Sequence, residues 1–264
     1  MLKYAYILSL SAARGLPGCF IKSASTQAPS SHSIARGDTF DRLSRKFGVS
    51  MDRLIAANSG LDPKKLQIGQ NINIPESDRD FIKRTKGFDP DEVVFNDTML
   101  QYQQMYHESV LGKYKRPINA PAGNTAYGYL QMTRPAWDEA VRNQPDWFKG
   151  RKFEELATDP RLALTAQRAY LEPRLRRWQY KHGKPATWET AVRMWYMPGD
   201  PYGKAATDYF NRVKSVKWHD IVKQGLQSSP EMQQLMFGGK AEEYRKALDA
   251  ANRTNPPVKR GFGN

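Results

Sequence analysis

Cysteine is nearly absent from the 264 residues: Cys19 is the single one, and without a second thiol an internal disulfide framework is excluded. Histidine is scarce as well. His32, His107, His182 and His219 lie far apart in sequence, so no Cys/His cluster has metal-ligand spacing, and neither a structural zinc nor any other metal or cofactor is expected. The apolar run at residues 4–13 covers only ten positions, too few to cross a bilayer. Acidic residues are outnumbered, 27 Asp and Glu against 41 Lys and Arg, which leaves a net charge of +14. That excess favours a polyanionic partner. Nucleic acid, anionic lipid and a bacterial wall polymer all qualify on charge. The basic residues are scattered rather than blocked, which argues against a nucleic-acid arm; a solvated basic surface is the plainer account of such scatter.

What is present begins with an export-like N-terminus over residues 1–19. Lys3 precedes the apolar run, and Ser11-Ala12-Ala13 supplies small residues for cleavage. Leu16-Pro17-Gly18-Cys19 resembles a bacterial lipobox, in which Cys19 would carry lipid and tie the chain to a membrane. Arg14 and Pro17 depart from that pattern. The expected location is the bacterial envelope or periplasm; the alternative is an unprocessed, phage-encoded or virion-associated protein. Residues 20–31, rich in Ser, Ala, Gln and Pro, read as a linker.

Residues 32–76 read as a small βααβ unit. His32-Ser33-Ile34-Ala35 alternates like a strand. Asp38 or Thr39 can cap a helix carrying Phe40, Leu43 and Phe47 on one face, and Gly48 closes it. Ser50 opens a second helix with Leu54 and Ile55, stopped at Asn58-Ser59-Gly60. Asn71-Ile72-Asn73-Ile74-Pro75 is an alternating strand ended by proline. Gly37-Asp38-Thr39-Phe40, Ala57-Asn58, Leu66-Gln67-Ile68-Gly69-Gln70 and Ile72-Asn73-Ile74-Pro75 together resemble the LysM module in order and spacing. The resemblance implies binding of N-acetylglucosamine-containing glycan, with a groove between Gly37, Asp38 and Thr39 on one side and Leu66, Ile68 and Gly69 on the other. Asp38 and Thr39 are explained equally well by helix capping alone.

Residues 77–90 carry charges of both signs and read as a linker. Asp89-Pro90-Asp91-Glu92 looks like the start of a helix, along which Phe95, Met99, Tyr102, Tyr106 and Val110 form an apolar stripe. Glu108 lies about 200° around the helix from Tyr106, so it faces away from that stripe. A lone glutamate in such a place is usually solvated. The context argues otherwise. Glu108-Ser109, Tyr127-Gly128-Tyr129-Leu130-Gln131-Met132-Thr133, Asp159-Pro160, Ala169-Tyr170-Leu171 and Asp208-Tyr209-Phe210-Asn211-Arg212-Val213 resemble, in order, the motifs of lysozyme-like lytic transglycosylases over about residues 91–216. At the family's Ala-Tyr-Asn-Ala-Gly site this chain reads Met194-Trp195-Tyr196-Met197-Pro198, so the asparagine is absent.

Glycosidic cleavage needs a proton on the leaving oxygen while an oxocarbenium-like centre develops. An ordinary glutamate, with a pKa near about 4.3, is protonated only about 0.2% of the time at pH 7; raised to about 6 it would be protonated about 10% of the time. Tyr127, Tyr129, Trp195, Tyr196 and Tyr209 can supply desolvating walls or sugar platforms, or simply pack the core. Gln131 can bond an acetamido group or satisfy the backbone, and Ser109 can hold Glu108, hold the loop or cap the helix. No second acid has motif support; Asp138, Glu139, Asp146 and Asp159 are candidates by type alone. The resemblance implies that none is required. In that family one glutamate acts as acid and then base, while the muramyl 6-hydroxyl closes a 1,6-anhydro ring.

The expected protein is therefore α+β. A small LysM module is followed by a mostly α-helical lysozyme-like domain over residues 91–225, C-terminal helices over 226–252 and a basic tail over 253–264. It is expected to act as a monomer on peptidoglycan glycan strands, cleaving the MurNAc–GlcNAc β-1,4 bond. A hydrolytic muramidase of the same fold and a non-catalytic wall-binding protein are the alternatives.

Overall fold

The computed structural model describes residues 31–93, 97–117 and 123–254. The export signal, Cys19, all but the last residue of the first linker, Phe95 and the tail from residue 255 lie outside them. The described chain divides into two compact units, residues 31–93 with 175–186 and residues 97–174 with 187–254.

In the first unit, strands β1 (Ser31–Ser33) and β2 (Asn71–Asn73) pair antiparallel with His32 opposite Ile72. Between them lie helices α1 (Phe40–Phe47) and α2 (Met51–Ala56), so the expected strand–helix–helix–strand order holds. Thr39, in extended backbone, accepts from the Arg42 amide and starts α1; Gly48, at φ 64°, ends it in the left-handed region that glycine tolerates. Ile34, Phe40, Leu43, Leu54, Ile72 and Ile74 close over one another as the core. Asn58 fastens this core to the sheet edge. Its buried side chain donates to the carbonyls of Leu54 (2.9 Å) and Asn73 (2.8 Å) and accepts from the Asn73 amide at 2.7 Å.

Residues 77–90 are not a linker. They hold helix α3 (Asp78–Lys86), capped by Ser77 and ended by Gly87 at φ 73°. Asp78 accepts from the Ser50 amide (3.0 Å) and from Arg53 (2.6 Å), and the Arg53 guanidinium lies 4.3 Å from the Phe81 ring centroid. Helix α3 is thereby bound to α2, and the compact unit continues past residue 76. Nor does a helix start at Asp89. Its carboxylate accepts twice from Arg79 (2.9 and 2.6 Å), which holds it down to about 2. The next described helix follows Asp97, whose side chain accepts from the Leu100 amide.

The second unit is helical: α4 (Thr98–Ser109), α5 (Arg134–Asn143), most of α6 (Pro160–His182), α7 (Trp188–Tyr196), α8 (Lys204–Ser215), α9 (Trp218–Gly225), α10 (Pro230–Phe237) and α11 (Ala241–Thr254). Helix α6 contributes its residues up to Arg174 to this unit and those from Leu175 to the other. It runs on through the basic stretch 174–177. Arg174 forms a two-pronged pair with Glu139 (2.7 and 2.8 Å), and Arg176 donates to the Asp91 carbonyl, so these cations are partnered inside the helix rather than repelling one another at its end. Tyr102, Met105, Leu130, Trp137, Leu156 and Ile221 are among the buried residues that pack α4 against its neighbours. A short-helix turn at Gly238–Lys240 separates α10 from α11.

Replacing Asn58 by Ala should leave partly buried Asn73 backbone groups without their side-chain partner and destabilise the first unit by about 0.5–2 kcal/mol, read as a lowered denaturation midpoint with an unchanged m-value; no measurable change would show that the clip is redundant.

Candidate active site

Helix α4 ends in an unusual turn. Val110 and Leu111 both have φ 54° and Gly112 has φ 84°. Left-handed backbone at a β-branched residue costs of order 1–3 kcal/mol and persists only where surroundings enforce it. Here Ser109 enforces it. Its buried hydroxyl donates to the carbonyls of Tyr129 (2.7 Å) and Met105 (3.2 Å) and accepts from the Gly112 amide (2.9 Å). Gly112 lies so close to the Tyr129 ring that a Cβ there would sit 2.2 Å from a ring carbon. Gly128 (φ 79°) is equally constrained, since a Cβ would stand 2.3 Å from the Leu156 carbonyl oxygen. These close approaches join the end of α4 to a tight turn in which Tyr127 and Met132 form an antiparallel bridge and Gln131 itself takes φ 50°.

Glu108 is positioned by that junction. It is partly buried, and the Tyr209 hydroxyl, arriving from α8, donates a short hydrogen bond to its Oε1. Burial dominates and lifts the carboxyl to about 7, against a smaller lowering by Tyr209. Behind Tyr209 runs a polar chain: Gln104 Nε2 donates to the Tyr209 oxygen at 3.3 Å, and Gln167 Nε2 donates to Gln104 Oε1 at 2.9 Å. The Tyr196 ring stacks on Tyr209 at 4.5 Å and 6°, and His107 sets its ring edge-on to Tyr209 at 5.4 Å. Burial, with Arg212, keeps His107 below its ordinary value. Burial also raises the Tyr209 hydroxyl, helped by neighbouring Glu108, so it stays protonated and serves as a donor.

Of the residues singled out by sequence, Tyr209 touches Glu108 and Tyr196 joins it through the stack. Tyr196 remains 46% exposed and presents an aromatic face to solvent. The others are elsewhere. Ser109 is a buried loop tie and does not touch the carboxyl, because its hydroxyl is committed to backbone. Tyr129 is a core residue whose hydroxyl meets Ser229 at 3.1 Å. Trp195 packs edge-on to Tyr170 at 5.8 Å. Tyr127 lies 5.7 Å from Phe153, in a cleft of about 280 Å³ with Arg116 and Arg134. Gln131 Nε2 donates to the carbonyls of Tyr114 and Gly128, while its buried Oε1 has no hydrogen-bond partner among the described residues. Of the second-acid candidates, Glu139 is taken by Arg174, and Asp159 pairs with Arg151 and caps the Leu162 amide.

Sequence reading missed Gln104, Gln167 and His107. Gln104 was within reach: four residues before Glu108, it shares its helical face. Nothing in the sequence joined it to Gln167, 63 positions away. No group of three or more His, Cys, Asp or Glu among the described residues could hold a metal ion.

In the first unit the two loops read as groove walls do meet. The Ile34 amide donates to the Gln70 carbonyl and the Gly69 amide to the Ile34 carbonyl, both at 2.8 Å, which sets residues 66–70 beside residues 34–38. Ile68 stands 73% exposed at the tip, an apolar surface open to a ligand, whereas Leu66 leans on the core. Gly37 and Gly69 supply the positive φ that the two turns need. Asp38 accepts from His32 (2.8 Å) and the Ala35 amide (2.9 Å), bonds that hold it below the usual carboxylate range. Asp38 and Thr39 thus serve turn and cap.

The LysM domain family model matches the chain over residues 32–75. Residues 32–75 are a LysM domain. LysM domains bind glycan polymers such as chitin or peptidoglycan. The chain is 42% identical over 50 residues to the secreted LysM effector ELP2 of Colletotrichum higginsianum, covering 19% of this chain and 28% of that protein. It is 40% identical over 48 residues to the secreted LysM effector ECP6 of Passalora fulva, covering 18% and 21%. The chain thus spans less than a third of either relative's length. No solved structure matches it. The family match ends before the helical unit that holds Glu108, and no described helix is long and apolar enough to cross a membrane.

The raised carboxyl has a consequence for stability. Below its ordinary value of 4.5 Glu108 is neutral in folded and unfolded chains alike; between there and about 7 the folded state binds the extra proton, so stability falls as pH rises. Glu108→Gln, neutral at every pH and still able to accept from Tyr209, should therefore be more stable than the parent by about 1–3 kcal/mol at pH 8 and no more stable at pH 4. Urea melts at both pH values check this; equal stability at pH 8 would place the carboxyl in water.

Proposed function

We propose that the helical unit is a peptidoglycan lytic transglycosylase and that the LysM domain holds it on its polymer. The observation that carries this reading is Glu108: one partly buried carboxyl, lifted to about 7 and oriented by Tyr209, is suited to hold and release a proton near neutrality. In the reaction, Glu108 gives its proton to the glycosidic oxygen as the bond to the muramyl anomeric carbon breaks. The resulting carboxylate, steadied by the Tyr209 hydroxyl, then takes the proton of the sugar's own 6-hydroxyl as that oxygen closes on the anomeric carbon. Atoms balance without water, and the product is a 1,6-anhydro sugar. The exposed ring of Tyr196 offers a stacking face. The +14 charge suits a wall polymer bearing free carboxylates. A single LysM domain of 44 matched residues binds weakly; its use is to raise the local concentration of glycan around the attached site. The export-like N-terminus and the secreted relatives support a place outside the cytoplasm; a bacterial envelope follows from the peptidoglycan reading alone.

A second reading, a glycan-binding protein without turnover, is favoured by two facts: the matched family is a binding module, and Tyr196 stands in the region where lytic transglycosylases carry asparagine. Digestion of purified sacculi separates the possibilities by product mass. The expected outcome is anhydro-muropeptides; reducing-end products would mean hydrolysis, and no product would favour binding alone. Glu108→Gln should abolish cleavage while leaving sacculus binding intact. Because the acid form is required, kcat/KM should fall about tenfold per pH unit above about 7.

A further inference from the structure

Glu108 receives its hydrogen bond from Tyr209, and the residues behind Tyr209 decide which way that bond runs. A tyrosine has one proton to give. Its oxygen here accepts from Gln104 Nε2 (3.3 Å), and Gln104 Oε1 accepts from Gln167 Nε2 (2.9 Å). Gln104 is 0% and Gln167 1% exposed, so water does not compete for these groups. An amide carries donors at one end and an acceptor at the other. With Gln167 donating to its oxygen, Gln104 turns its NH₂ toward Tyr209. A Tyr209 proton aimed at Gln104 would meet an N–H; aimed at Glu108 Oε1 it finds a lone pair. Oε1 is then an acceptor, and a proton placed on it would face the Tyr209 hydrogen.

We propose that Gln104 and Gln167 are positioning residues that, through Tyr209, confine the proton of the acid form of Glu108 to Oε2, leaving that oxygen as the one that delivers it. This rests on the reading of Glu108 as the general acid. The order is imposed by geometry: three elements, α4, α6 and α8, each contribute one fixed polar group, so the chain of donors runs one way from Gln167 to Glu108. The charged and titratable neighbours are His107, edge-on to the Tyr209 ring, and Arg212, which acts on both His107 and Tyr209; Tyr196 covers the other face of the stack. Glu108 itself responds to burial and to Tyr209.

The test is a ¹³C titration of the Glu108 carboxyl in full-length protein, paired with the pH dependence of sacculus cleavage. Gln104→Met removes the donor to Tyr209 and should loosen its aim at Glu108. The titration midpoint should rise by about 0.5–1 pH unit, as for loss of part of one hydrogen bond. The kcat should fall about tenfold with KM unchanged. Gln104→Glu keeps the shape but offers an acceptor that draws the Tyr209 proton away, and should move both readouts further in the same direction; if it does not fold, Gln104→Met carries the test. In a Tyr209→Phe background, Gln104→Met should change neither readout. A wild-type midpoint in Gln104→Met, or an effect that persists without the Tyr209 hydroxyl, would overturn the proposal. Absence of product from the parent protein would sink the transglycosylase reading, while the titration would still decide the relay.

Discussion

The helical unit depends on one contact between helices distant in sequence: the Tyr209 hydroxyl on the Glu108 carboxyl. Two opposing effects meet there. Burial disfavours the charged carboxylate, and the hydrogen bond favours it; burial is the larger, and the balance settles at about 7. Move the helices apart and both effects lapse, since water would solvate the carboxyl and replace the tyrosine. The packing of α4 against α8 therefore sets the protonation of Glu108. The donation of Gln103 Nε2 to the carbonyls of Lys214 and Val216 ties the same two elements a short way along.

A second constraint keeps the end of α4 where it is. Three successive residues with positive φ store strain, offset by the Ser109 bonds and by contacts that leave no room for a Cβ at Gly112 or Gly128. The effect is a rigid corner rather than a frayed terminus. A carboxyl on the last turn of a helix would ordinarily be mobile, and a mobile acid would be solvated. The corner supplies a fixed carboxyl whose surroundings are set by the packing around it.

The LysM domain solves a different problem. Its core of six or seven aliphatic and aromatic side chains is small, and it gains from neighbours: Asn58 clips the sheet edge, and α3 adds Phe81 and Asp78 to the outside of α2. Its exposed feature is the Ile68 loop beside residues 34–38, a shallow surface consistent with weak, additive contacts to a repeating polymer.

Periodicity and turn chemistry made much of this fold readable in advance. The βααβ order, the Thr39 cap, Gly48 and the alternating strand at residues 71–73 are all local, set within a few residues by cap, glycine or side-chain alternation. Glu108 was legible as a candidate because its neighbours in sequence formed a pattern, and Tyr209 because it closed that pattern. What local signals could not supply was partnership over distance. Asp78 was read as part of a linker because Ser50 and Arg53 are 28 and 25 positions away. Ser109 and Tyr129 were placed at the substrate because nothing in the sequence says that one ties down the backbone of the other. Gln104 and Gln167 went unread because a glutamine carries no sign of what it will face. The sequence by itself determined the LysM domain and the helical character of the rest, since both follow from short-range spacing. Only the tertiary structure decided that the partly buried Glu108 carboxyl meets Tyr209, because desolvation and hydrogen-bond direction arise from side chains brought together by packing.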